Sequence, residues 1–168
     1  MTERLYAPWR QEFIFGAKEE GCIFCDPDSR KNVRDWILHR GKTAFVVMNR
    51  YPYNSGHLMV VPYRHVADLH NLRAAERREI MDLVALSSRV LTDVHKPAGI
   101  NMGMNLGRAA GAGIDGHLHV HLVPRWVGDT NFLPVLFDTR IISVDLHAMC
   151  RRLKAAFRKA TKPRTKRS

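Results

Sequence analysis

Apolar residues recur along the chain with two different spacings, and each spacing predicts its own kind of element. The runs Thr43–Met48 and His57–Val61 are rich in β-branched and apolar residues, and the segment between them, NRYPYNSG, contains turn-forming residues. This pattern predicts a β-hairpin. Two further strands are predicted at Ile100–Leu106 and His117–Val123, joined by the glycine-rich loop GRAAGAGIDG.

Helical spacing occurs in two other segments. In Ala74–His95, apolar side chains return every three or four residues until Pro97 and Gly99 end the pattern. A second helix follows Ser143, its predicted N-cap, and its apolar positions place Cys150 in the core. Strands and helices do not alternate as a doubly wound parallel sheet requires. We therefore predict an α+β fold with a mostly antiparallel sheet.

Length and charge refine this picture. The chain has 168 residues, enough for one domain, and we predict a single domain over 1–160 followed by a basic tail at 161–168. Nine Lys and Arg residues and no acidic residue lie between Arg151 and Ser168, and they supply most of the formal net charge of +11. Such a segment attracts polyanions, including nucleic acid. We favour the alternative, a solvated and disordered extension.

The apolar runs and the cysteines predict the cellular compartment of the protein. No segment approaches the roughly 18 consecutive apolar residues of a membrane span. Cys22, Cys25 and Cys150 make an odd number, which argues against a secreted disulfide framework. The sequence predicts a cytoplasmic protein without membrane contact, whose cysteines are metal ligands or free thiols.

The segment HLHVHLV carries the candidate chemistry. Because side chains alternate on a strand, His117, His119 and His121 would share one face. With a reference pKa of about 6.5, imidazole can act as nucleophile, proton carrier or metal ligand. A purely structural role would require three separate hydrogen-bond partners on one face. The preceding glycines leave backbone N–H groups accessible to an anion, so an anionic substrate is the leading hypothesis.

These residues resemble a known family. HLHVHLV matches the His-φ-His-φ-His-φ-φ signature of the histidine triad superfamily, and NRYPYNSGHLMVVP upstream looks like its hairpin, so the resemblance covers Cys22–Trp126. Within the superfamily the chain is most similar to bacterial diadenosine tetraphosphate phosphorylases and their hydrolase relatives. The resemblance implies a five-stranded antiparallel sheet with one long helix, a homodimer, a nucleotide substrate and no organic cofactor.

The resemblance also assigns roles to individual residues. His119 would attack the α-phosphorus and form a nucleotidyl-histidine, with its other ring nitrogen held by a carbonyl of the glycine loop. His121 would hydrogen-bond phosphate oxygens, and His57 would close the same pocket. The substrate-binding positions implied are Asn49, Asn105, Gly111, Gly113, Ile114 and His121. His117 completes the predicted catalytic set.

The acceptor of the nucleotidyl group stays open between phosphate and water. The hydrolase branch places Gln and a hydroxyl residue just before the triad, where this chain has Ala112–Gly116, AGIDG. This departure argues against hydrolysis of that branch's usual substrates and leaves nucleotidyl transfer intact. One alternative is a hydrolase of nucleoside phosphoramidates or aminoacyl-adenylates. Another is a non-catalytic, zinc-stabilised protein that binds nucleotides or RNA through its basic tail.

A zinc site is predicted at the CxxC pair. Cys22 and Cys25 have the spacing of two ligands of one tetrahedral ion. The resemblance supplies His65 and His117 as the other two ligands of a structural Zn²⁺. The alternatives are metal-free thiols and a redox pair, although the βαβ context of a thioredoxin-like site is missing.

Overall fold

The computed structural model describes residues 21–28, 30–111, 114, 116–129 and 145–162. In these ranges five strands form one antiparallel sheet in the order β1-β2-β3-β5-β4. The strands are β1 Ile37–Arg40, β2 Ala44–Met48, β3 Leu58–Pro62, β4 Gly99–Gly103 and β5 Val120–Arg125. The helices are α1 Lys31–Arg34, α2 Ala74–His95 and α3 Leu146–Thr161, with 3₁₀ turns at Leu69–Asn71 and Arg108–Ala110. The α+β prediction is confirmed.

The β2–β3 hairpin forms the centre of the molecule. Phe45 pairs with Val61, Val47 pairs with Met59, and every residue of both strands is buried. Burial on both faces explains why these segments are continuous apolar runs rather than alternating ones. The hairpin predicted from Thr43–Met48 and His57–Val61 is thus present. Its first strand begins one residue later than predicted, and its second strand is shifted by one residue.

The long helix α2 covers one face of the sheet. Its buried side chains include Ile80, Leu83 and Leu91, as the spacing predicts. The helix ends where Lys96 adopts a left-handed conformation with φ of 45°, just before Pro97.

The helix α3 packs against α2 and β1. Leu153 and Phe157 are fully buried, and Cys150 lies in the core as predicted. The predicted cap is wrong: the side chain of Asp145 accepts hydrogen bonds from the first turn and begins the helix at Leu146. Ser143 lies outside the described residues, as do tail residues 163–168.

Two predicted strands have different bounds in the structure. The strand expected at His117–Val123 begins only at Val120, because the backbone N–H of Leu118 donates to the carbonyl of Val66 instead of joining the ladder. The strand expected to reach Leu106 ends at Gly103. The pattern analysis did not locate β1, whose four residues are too few for a periodic signal.

The register defines which side chains share a face with the triad. His121 stands opposite Met59 on β3 and Gly103 on β4. Because directly paired residues point to the same side of a sheet, this face also includes Asn101 of β4. We call it the triad face. The other face contacts α2.

None of the described helices combines the length and the apolar character that a membrane span requires.

Candidate active site and metal cluster

His119 has one ring nitrogen fixed by the backbone. Its Nδ1 lies 2.8 Å from the carbonyl oxygen of His117, and a carbonyl can only accept a hydrogen bond. Nδ1 therefore carries the proton and donates it, which leaves the lone pair on Nε2. The resemblance led us to expect a holder in the glycine loop, and this expectation is wrong: the carbonyl belongs to the triad itself.

His121 and His57 form a second set of hydrogen bonds with a defined direction. The backbone N–H of Tyr53 donates to His57 Nδ1 over 3.1 Å, and the side-chain amide of Asn49 lies 3.3 Å from the same nitrogen. His57 must then carry its proton on Nε2, which lies 2.9 Å from His121 Nδ1. His121 accepts that bond on Nδ1 and presents an N–H at Nε2. Within the described chain, His121 Nε2 is a buried atom with no hydrogen-bond partner.

Burial keeps these imidazoles neutral. Desolvation lowers the pKa of His57 to about 3, with a further contribution from the neighbouring His121 and His119. The pKa of His121 falls to about 4 for the same reasons, burial first and the charge of His119 second. Burial also lowers the pKa of His119, against the opposing effect of the carbonyl of His117. A neutral His119 keeps its Nε2 lone pair available at physiological pH.

Phe24 links the triad to the CxxC segment. Its ring lies 5.5 Å from the ring of His117 and 5.4 Å from that of His119, between ring centroids, and it is buried. It also contacts Phe45 edge-on. The ring of His119 is therefore held by aromatic packing on one side and by the backbone on the other.

The structure brings the four predicted metal ligands together. The ligand atoms of Cys22, Cys25, His65 and His117 all lie within 4.8 Å of one another. The Sγ atoms of Cys22 and Cys25 lie 3.2 and 3.7 Å from His117 Nδ1, and Cys25 Sγ lies 3.2 Å from His65 Nδ1. Around tetrahedral Zn²⁺, with bonds of about 2.3 Å to sulfur and 2.0 Å to nitrogen, such atoms would stand roughly 3.5 Å apart.

The tautomer of His117 also suits a metal ligand. Its Nε2 lies 2.8 Å from the carbonyl oxygen of Pro62, so Nε2 carries the proton and Nδ1 presents its lone pair to the thiols. A ligating histidine typically donates its second nitrogen to such an acceptor. The donor set, its spacing and this tautomer all fit a bound zinc ion.

The predicted substrate-binding residues lie in different surroundings. Asn49 lies beside the histidines, where its Oδ1 accepts the backbone N–H of Tyr51. Asn105 is half-buried, and its amide donates to the carbonyl of Gly111 over 3.4 Å. Gly111 has a φ of +84°, a conformation that favours glycine. Ile114 packs against the core, while Gly113 lies outside the described residues.

Sequence reasoning missed the network that holds the turn before His57. Asn54 donates to the carbonyl of Pro124 and to Asp129, and Asp129 also accepts two hydrogen bonds from Arg125. The backbone N–H of His57 in turn donates to the carbonyl of Asn54. The network fixes the end of β5 against the turn. The spacing of Arg125 and Asp129 was the available signal, but nothing in the sequence connects that pair to Asn54.

The sequence was also compared with protein families and known proteins. A family model for the HIT domain matches residues 30–127, more than half of the chain. The chain belongs to the HIT family. This HIT chain is 38% identical over 153 residues to the AP-4-A phosphorylase of Mycobacterium tuberculosis (strain CDC 1551 / Oshkosh), covering 83% of this chain and 76% of that relative. The resemblance stated from the sequence is confirmed at the level of the family.

Other relatives are more distant. The HIT chain is 30% identical over 101 residues to the asymmetrical bis(5'-nucleosyl)-tetraphosphatase of Schizosaccharomyces pombe, which covers 60% of this chain and 55% of that protein. Its structure is similar to that of a Zn-bound histidine triad family protein from Mycobacterium smegmatis, with a TM-score of 0.66 and 23% identity, over 82% of this chain and 94% of that one. At this identity the likeness establishes the fold, and the predicted HIT fold is confirmed.

Proposed function

We propose that this HIT protein is an enzyme that cleaves dinucleoside polyphosphates, such as diadenosine tetraphosphate, by nucleotidyl transfer through His119. One observation carries the proposal: the carbonyl of His117 holds the Nδ1 proton of His119, so Nε2 is an available nucleophile. The names of the phosphorylase and tetraphosphatase relatives support the substrate class.

The reaction proceeds in two displacements. In the first, His119 Nε2 forms a bond to the α-phosphorus, and the bond from that phosphorus to the bridging oxygen of the leaving nucleotide breaks. The leaving oxygen keeps the electron pair and accepts a hydrogen bond from His121 Nε2–H, whose direction is set by His57. In the second, phosphate or water attacks the same phosphorus and releases His119.

The remaining predicted residues act on the substrate in this proposal. Asn49 lies next to His57 and contacts the ribose or base of the transferred nucleotide. Asn105 orients the scissile phosphate. The backbone N–H groups near Gly111, Gly113 and Ile114 stabilise the charge that develops on phosphate oxygens.

The CxxC cluster holds a structural Zn²⁺ in this proposal, with Cys22, Cys25, His65 and His117 as ligands. The ion, when bound, supplies a crosslink between the N-terminal segment and the triad and takes no part in the reaction.

Metal analysis tests the cluster. Protein purified without added zinc should contain one zinc ion per chain, and Cys25→Ser should lose it because a thiolate ligand is gone. Cys150→Ala is the matched control, since Cys150 is a buried core residue remote from the cluster in sequence, and it should retain the metal. A metal-free wild type, or a Cys25→Ser protein with full zinc content, would contradict the assignment.

The proposal includes a homodimer located in the cytoplasm. The strand β4 is at the edge of the sheet, and neighbouring Met102 and Leu106 are 57% and 45% exposed, which favours pairing of two copies along this edge. Cys22, Cys25 and Cys150 form no disulfide, which favours a reducing compartment.

The deciding experiment follows diadenosine tetraphosphate with and without inorganic phosphate, resolving AMP, ADP and ATP by chromatography. Phosphate-dependent formation of ADP and ATP identifies phosphate as acceptor, whereas AMP and ATP in either condition identify water. His119→Ala should abolish both reactions, and His70→Gln, which replaces an exposed histidine, should retain them. Absence of cleavage by the wild type would refute the substrate class. Full activity of His119→Ala would refute the nucleophile.

A further inference from the structure

An open groove of about 420 Å³ lies on the triad face next to the histidines. Tyr53, Asn101, Val123 and Arg125 line it. Val123 and Arg125 follow His121 on the same face of β5, at intervals of about 6.6 Å. The ring of Tyr53 lies 5.7 Å from that of His121, between centroids. The groove therefore begins beside the ring of His121 and follows β5 away from it.

Two glycines keep this groove open. On β4, Gly103 stands opposite His121, Asn101 opposite Val123, and Gly99 opposite Arg125. A Cβ atom added to Gly99 or Gly103 would meet nothing within 4 Å, and neither residue has a positive φ that only glycine favours. The backbone does not require glycine at these positions. Their effect is to leave the space beside His121 free.

The chemistry of the lining suits a nucleoside better than a phosphate chain. Arg125 is held by both carboxylate oxygens of Asp129, at 2.6 and 2.8 Å, so this pair adds no net positive charge. Tyr53 is 52% exposed, with one side of its ring near His57 and His121. Asn101 accepts from Arg125 through Oδ1, and within the described chain no residue accepts from its Nδ2. An aromatic surface beside an amide donor is a typical base-binding arrangement.

We propose that this groove binds the nucleoside of the leaving nucleotide. The inference rests on the proposed function, in which attack by His119 Nε2 breaks the bond to the bridging oxygen and the leaving nucleotide departs on the side of His121. Its base stacks on the exposed face of Tyr53, and Asn101 Nδ2 donates a hydrogen bond to the base or ribose. The groove thus selects substrates with a nucleoside at both ends over nucleotides with a small leaving group.

Substrate discrimination tests this assignment. The kcat/KM of diadenosine tetraphosphate is divided by that of adenosine 5'-phosphoramidate, whose leaving group is ammonia, for the wild type and for Tyr53→Leu and Tyr53→Phe. Loss of one base stack should lower this ratio at least about fivefold in Tyr53→Leu. Tyr53→Phe keeps the aromatic ring and should keep the wild-type ratio.

A second variant tests the same assignment if Tyr53→Leu fails to fold. Gly103→Val fills the groove beside His121 without a clash at Cβ, and it should also lower the ratio. Ile100→Val, on the same strand but facing the other side, is its matched control and should leave the ratio unchanged. Unchanged ratios in both Tyr53→Leu and Gly103→Val would overturn the groove assignment while the enzyme still cleaves diadenosine tetraphosphate. A wild type that fails to cleave it would instead refute the proposed function.

Discussion

Replacing His57 with glutamine should make the stability of the protein less sensitive to acid. His57 is completely buried, and burial lowers its pKa to about 3. In the unfolded chain its pKa is about 6.5. Between these two values the unfolded state binds a proton that the folded state does not bind. The free energy of unfolding therefore falls as pH falls through this window.

The magnitude follows from the two pKa values. Near pH 5 the imidazole is almost fully protonated in the unfolded chain and almost fully neutral in the folded one. Integrated from pH 7 to pH 5, this difference amounts to about 2 kcal/mol. Glutamine cannot titrate, yet it retains an N–H donor that can reach His121 Nδ1. Between pH 7 and pH 5 the free energy of unfolding should therefore fall by about 2 kcal/mol less in the variant than in the wild type.

Urea unfolding of both proteins near pH 7 and pH 5, with the same excess of zinc, measures this difference directly. Every other titratable group is present in both proteins, so the comparison isolates His57. His70→Gln replaces an exposed histidine, and its free energy of unfolding should fall as much as that of the wild type. Equal losses in the wild type and in His57→Gln would show that His57 is not held neutral, and the reasoning about the tautomers would fail with it.

Three further predictions concern the core, the start of α2 and the pH profile. Leu153→Ala removes a fully buried side chain of α3 and should lower the free energy of unfolding by about 3 kcal/mol, while Lys159→Ala, at an exposed position of the same helix, should change it little. Glu76→Gln should cost about 2 kcal/mol at neutral pH in urea unfolding, because Glu76 is buried and pairs with Arg64. The Arg64 hydrogen bond holds the Glu76 pKa at about 2, so this stabilisation should persist above pH 4.5 and be lost only as pH falls towards 2. The acid limb of kcat/KM should lie below pH 6.5, because burial lowers the pKa of His119 and lowers that of His121 to about 4, and a limb at or above pH 6.5 would contradict buried neutral imidazoles.

Periodicity predicted the elements whose signals are local. The long helix was located to the residue, and Cys150 was assigned to the core, because helical spacing over several turns averages out single exceptions. The strand bounds were less accurate. His117 and His119 fit an alternating pattern, yet Leu118 bonds to Val66, a contact between segments far apart in sequence that no local pattern contains.

The candidate site was likewise predicted only in part from the sequence. The His-φ-His-φ-His motif and the CxxC pair identified residues that the structure brings together. The direction of each hydrogen bond depended on backbone groups, such as the Tyr53 N–H and the Pro62 carbonyl, whose positions follow only from the folded chain. Tyr53 itself was overlooked because an exposed aromatic residue in a turn carries no periodic signal.

The carbonyl of His117 that fixes the His119 proton is part of the main chain. Catalytic histidines are often oriented by a carboxylate, which titrates and which a single substitution removes. A peptide oxygen does neither, since every residue type contributes the same atom and no pH in the working range changes its charge. The tautomer of His119 is therefore determined by the path of the chain. Variation of the side chain at position 117 can alter the Cys22–Cys25–His65 cluster without removing the carbonyl that sets this tautomer.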